Sequence, residues 1–172
     1  MVLRARAVLS RLLPAVALLA PGHAPAQAPP AWPNVSPRIE ASILPALRLA
    51  AERLRSPSCA RVLGEFRARE GGRPLSEILD ARGLEPADYL ATVAFLDGSR
   101  QPQCAKTGTL AITPVGSPVV FVCRDPFVRA LKKSWGFAAT VLIHESLHTL
   151  GLGENPPSSE EISARVAERC GW

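Results

Sequence analysis

The sequence is poor in residues on which several function classes depend. It holds one tyrosine, three tryptophans and five phenylalanines. No lysine- and arginine-rich stripe interleaves with these aromatics, so the surface that nucleic acid requires is missing. No apolar run reaches the ~20 residues of a membrane-spanning helix. The cysteines include no Cys-x-x-Cys pair, which argues against a thiolate metal site. Methionine occurs once, as Met1. Histidine occurs three times, and two of the three, His144 and His148, sit four residues apart. No internal repeat is visible.

The N-terminal stretch has a recognisable order. Arg4, Arg6 and Arg11 precede a short apolar run from Leu12 to Ala20, and Ala24-Pro25-Ala26 follows with small residues at the first and third places. This is the layout of a secretory signal peptide, predicted here over residues 1–26 with cleavage after Ala26. Those residues hold three arginines and no acid, so removing them takes the formal charge from +5 to +2. The high isoelectric point therefore belongs partly to the leader. Residues 27–37 are proline-rich and read as an extended leader. Residues 38–172 have the length of one compact domain. A secreted or periplasmic location follows from this reading, with no stable membrane anchor after cleavage.

Four cysteines, Cys59, Cys104, Cys123 and Cys170, all lie downstream of the leader. In an exported chain an even number predicts disulfides. Of the three possible pairings we favour Cys104–Cys123, which bracket a strand pair, with Cys59–Cys170 tying the C-terminus to the early helices.

Apolar spacing predicts a helical layer first. Ile39, Ile43, Leu47, Ala50 and Leu54 recur at helical intervals over 38–55. Further helices are expected from Ser58 to about Ala68, from Pro74 to Arg82 and from Pro86 to Leu96. The pattern then turns β-rich at Thr109–Thr113 and Val119–Cys123, with PVGSP as the turn of an antiparallel hairpin. A helical stretch begins at Asp125-Pro126, and Gly136 is expected to break it. Ser158 and Glu161 have capping-box spacing and predict a last helix, 158–170. The fold class is α+β, mostly helical with a small antiparallel sheet.

The chemistry concentrates in HESLHTLGLGE, residues 144–154. On a helix over 138–150, His144 and His148 project ~40° apart and meet one turn apart. Two neutral imidazoles at that spacing suit one Zn²⁺. Glu145, displaced ~100° from His144, stands beside such an ion as a general base. Gly151 can end the helix and turn the chain so that Glu154 returns as a third ligand. A chance HExxH arises on the order of once in two hundred chains of this size, and the added glycine and acid lower that about a hundredfold. Glu160, Glu161 and Glu168 compete for the third position. Capping is the plain reading of Glu161, and a solvated helix face that of Glu168. Tyr89 reads as a core aromatic, and the strand Val119–Cys123 as a candidate edge for pairing with an extended peptide.

His144-Glu145-x-x-His148-x-x-Gly151-x-x-Glu154 resembles the extended HExxHxxGxxH/D signature of the metzincin zinc peptidases, with Glu at the third ligand position. The resemblance spans about eleven residues. It implies a zincin-like fold, a zinc ion and hydrolysis of peptide or protein substrates by a metal-activated water, with Glu145 as base. Two other readings stand beside it: an exported, disulfide-stabilised zinc-binding module of zincin-like shape without turnover, and a helical domain in which the motif binds no metal.

Overall fold

The computed structural model describes residues 32–171. The expected signal peptide and residues 27–31 of the proline-rich leader lie outside the described residues. The chain forms a mixed fold of helices and a small sheet. The first long helix, α1 (Glu40–Leu54), buries Ile43, Ala46, Leu47, Ala50, Ala51 and Leu54 on one face, with Ile39 just before it. That face is the apolar stripe visible in the sequence, and Pro45 lies within the helix.

Four short helices follow: α2 (Pro57–Ala60), α3 (Val62–Glu65), α4 (Leu75–Asp80) and α5 (Pro86–Thr92). The single helix expected over 58–68 is thus two pieces. Ser56, not Ser58, caps the first by accepting from the Cys59 amide at 3.2 Å. Phe66 is already extended. The helix expected over 86–96 also stops early. Val93 leaves the helical region, and the next residues form strand β1 (Ala94–Asp97). Phe95 on that strand is fully buried.

After a 3₁₀ turn (Pro102–Ala105) come strands β2 (Ala111–Ile112) and β3 (Val119–Val122). Their antiparallel pairing sets Ala111 opposite Val122 and Ile112 opposite Phe121. The sheet is mixed, because β1 pairs with β3 in parallel, Ala94 opposite Val119. The order β1-β3-β2 makes β3 the central strand. The expected free edge at Val119–Cys123 is therefore not there. The outer side of β1 is met by the entering chain, where Ser36 donates to the Phe95 carbonyl at 2.8 Å. On the opposite side, β2 forms the other edge of the sheet.

The chain ends with three longer helices: α6 (Arg124–Lys133), α7 (Trp135–Thr149) and α8 (Ser159–Cys170). The break between α6 and α7 falls at Ser134, not Gly136. Ser134 is extended and caps α7 through its hydroxyl, which accepts from the Phe137 amide. The start of α8 carries the full capping box. Ser158 accepts from the Glu161 amide at 3.2 Å, and Glu161 accepts from the Ser158 amide at 2.7 Å.

Helix α7 is the central element. It packs against α1, α6, α8 and strands β2 and β3, and Leu142 to Leu150 are all buried. The Arg53 guanidinium at the end of α1 donates to the Gly136 carbonyl at 2.9 Å and fixes the start of α7. Two disulfides, Cys59–Cys170 and Cys104–Cys123, close the fold, as an oxidising compartment permits. Among the described residues no helix is long and apolar enough to cross a membrane.

Candidate metal centre

Helix α7 is apolar through Val141-Leu142-Ile143, then polar, yet it stays buried. Two of its hydroxyls bond back to the helix: Ser146 donates to the Ile143 carbonyl and Thr149 to the Ser146 carbonyl, each at 2.6 Å. These bonds satisfy groups whose burial would otherwise be costly. His144 and His148 are about 5% and 4% exposed. Both imidazoles are held inside the fold.

One turn of helix brings His144 Nε2 within 2.9 Å of His148 Nε2. The third group arrives by a turn. Gly151 has φ +102, a backbone state that costs a residue with a Cβ. The amides of Gly151 and Leu152 satisfy the last carbonyls of α7, those of His148 and Leu147. Leu152 then forms an antiparallel bridge with Ala68. The chain so aimed sets Glu154 Oε1 3.3 Å from His148 Nε2 and 3.6 Å from His144 Nε2. Among the described residues, His144, His148 and Glu154 form the group whose donor atoms converge, all within 4.8 Å.

The outer nitrogens set the proton positions. His148 Nδ1 lies 2.7 Å from the Leu152 carbonyl. A carbonyl only accepts, so Nδ1 carries the proton and Nε2 presents a lone pair. His144 Nδ1 lies 2.9 Å from Ser163 Oγ on α8, and a hydroxyl can donate or accept. Without a cation, His144 can place its proton on Nε2 and donate to His148. Were Nε2 to serve as a ligand, the His144 proton would sit on Nδ1, where Ser163 can accept it. Burial, and then the neighbouring His148, push the His144 pKa down to about 3, so this ring is neutral near pH 7. Two inward nitrogens beside a carboxylate form a donor set that fits a divalent cation, and the imidazoles suit zinc.

Glu145 lies beside this cluster. Its Oε2 accepts from the Thr113 hydroxyl at 2.6 Å, just past β2. Burial pushes its carboxyl above the usual range, while the Thr113 bond acts in the opposite sense. A carboxylate with a raised proton affinity is suited to general-base work.

The cluster opens into two adjoining cavities of ≈350 and ≈300 Å³, which share Ala111, Glu145 and Glu154. The first adds Phe137, Val141 and Ser163, and the second adds Arg69, Thr113 and His148. Strand β2 runs along both.

The competing acids fall elsewhere. Glu161 is committed to the cap of α8. Glu168 pairs with Arg165 and Arg169 at 3.3 and 3.4 Å. Glu160 is exposed on the same helix and is not in the converging group. Tyr89 is buried, its hydroxyl 2.8 Å from Thr149 Oγ1, and it lines neither cavity. Ser163, Thr113 and the Leu152 carbonyl carried no signal in the sequence. A lone hydroxyl or carbonyl has no spacing rule, and each comes from a segment distant from the residue it supports or lies outside the side-chain pattern. No protein-family model, no curated protein and no solved structure matches this chain.

Proposed function

We propose that the chain is an exported zinc-dependent metallopeptidase, a minimal relative in shape of the metzincins. The observation that carries this reading is the convergence of His144, His148 and Glu154 beside a buried Glu145 at the floor of an open cleft. His144, His148 and Glu154 would hold the ion. A zinc ion there supplies Lewis acidity toward a substrate carbonyl and toward water.

The chain's own residues account for the rest. The Leu152 carbonyl and Ser163 keep the two rings oriented. Glu145 takes a proton from the attacking water and delivers it to the leaving amine. Thr113 fixes the carboxylate for that task through its 2.6 Å bond. The edge of β2, which borders both cavities, offers backbone groups along which an extended peptide can pair. The two disulfides support an oxidising location, and the leader layout of residues 1–26 supports export.

Metal analysis with Glu145→Gln tests the mechanism. The variant is expected to retain stoichiometric zinc and to lose hydrolysis of a peptide library; hydrolysis surviving the substitution would reject it. One observation favours a zinc-binding module without turnover: Tyr89, the sole tyrosine, is turned toward Thr149 and adds nothing to the cleft. Stoichiometric zinc with no cleavage of any protein or peptide mixture selects that reading.

A further inference from the structure

The two halves of the cleft differ in charge. Apart from the shared Glu145 and Glu154, the half beside His144 is walled by neutral side chains, Thr107, Thr109, Phe137, Val141 and Ser159 among them. The half beside His148 contains Arg69. This arginine also lines the adjoining ≈270 Å³ cavity next to Gly153 and Glu154.

The backbone of Arg69 is anchored to that wall, and its side chain is exposed. Its amide donates to the Gly151 carbonyl at 2.8 Å, and the preceding residue, Ala68, bridges to Leu152. Its aliphatic stem lies across Gly153, where an added Cβ would meet Arg69 Cδ at 3.0 Å and Cβ at 3.3 Å. The segment that aims Glu154 therefore also aims Arg69. Among the described residues no carboxylate lies within ion-pair distance of its guanidinium. Glu154 shares the cavity but turns its Oε1 to the histidines.

Charge accounting gives this half its preference. With a divalent cation in place, Glu145 and Glu154 offset its charge, and Arg69 leaves the cavity with an excess positive charge. We propose that Arg69 makes the His148 side of the cleft a carboxylate subsite, so that the favoured substrates place an acidic side chain or a free C-terminal carboxylate next to the scissile bond. The guanidinium is the group best shaped for a planar, two-oxygen contact. The inference rests on the peptidase reading of the same site.

The test uses the zinc-loaded full chain and three hydroxamate-bearing peptides of equal length, measured by calorimetry. One ends in a free carboxylate, one is amidated and carries Glu, and one is amidated and carries Gln. The carboxylate probes are expected to bind about tenfold tighter than the neutral probe. The tighter of the two identifies a chain end or an acidic side chain as the source. Arg69→Gln is expected to bring the ratio close to one with zinc content and thermal midpoint unchanged, and Arg69→Lys to restore part of it. Equal binding of all three probes to the wild-type chain overturns the Arg69 subsite and leaves the metal reading standing. Absence of bound zinc, or failure of every hydroxamate to bind, overturns the peptidase reading and the subsite with it.

Discussion

His144 depends on a single hydroxyl from another helix. If Ser163 receives the Nδ1 proton when a cation is bound, Ser163→Ala weakens metal binding while leaving the ligands in place. A loss of about tenfold is expected in a zinc-competition titration. Thr113→Val acts on the base instead. The Thr113 bond favours the charged carboxylate, so its removal raises the Glu145 pKa further, and the acid limb of the pH–rate profile is expected to move to higher pH. A third expectation concerns the metal-free chain. The His144 pKa is lowered from 6.5 to about 3 in the folded state. Its contribution to stability is present above about pH 6.5 and is lost as the pH falls toward 3, because the unfolded chain takes up the proton first. Urea midpoints measured between pH 7 and 4 should decline, and a flat profile would contradict the burial argument. At this scale the sequence was informative about charge-bearing groups: His144, Glu145, His148 and Glu154 are recognisable by type and spacing. It was silent about the groups that orient them. Thr113 stands 32 residues before Glu145 and Ser163 stands 19 residues after His144, and such pairings exist only once the helices pack.

Among the elements, the turn after α7 carries the most consequence. Gly151 holds φ +102, and a Cβ there would meet the Ala68 Cβ at 3.3 Å. Gly151→Ala is expected to cost about 1–3 kcal/mol of stability and to weaken metal binding more than Ser163→Ala, because it displaces the segment that aims Glu154. Chemical denaturation and zinc titration of the same variant check both. Helices with strong end signals were legible: the Ser158 and Glu161 pair marks the start of α8, and the stripe from Ile39 to Leu54 marks α1. The strand β1 was not. Its residues Ala94–Asp97 continue the apolar pattern of α5, and four residues are too few for periodicity to separate helix from strand. Their conformation is decided by pairing with Val119–Val122, which no local rule contains. The placement of β3 at the centre of the sheet was hidden for the same reason.

At the scale of the whole molecule, the disulfides and the proposed ion would act on the same equilibrium by different routes. Cys59–Cys170 spans 111 residues and Cys104–Cys123 spans 19. Chain-entropy arguments assign them about 5 and about 3 kcal/mol. Replacing Cys59 and Cys170 by alanine should therefore lower the thermal midpoint more than replacing Cys104 and Cys123, as calorimetry can show. A chelator should lower it again, and by an amount that grows with the zinc concentration it removes.

The position of Ser163 on α8 also has a consequence in time. A chain that emerges N-terminus first exposes His144 and His148 before the serine that orients one of them exists, and before Cys170 can join Cys59. Until that final helix docks, the nascent protein carries its ligands without their support. The proposed ability to retain an ion would thus arise only after α8 has docked.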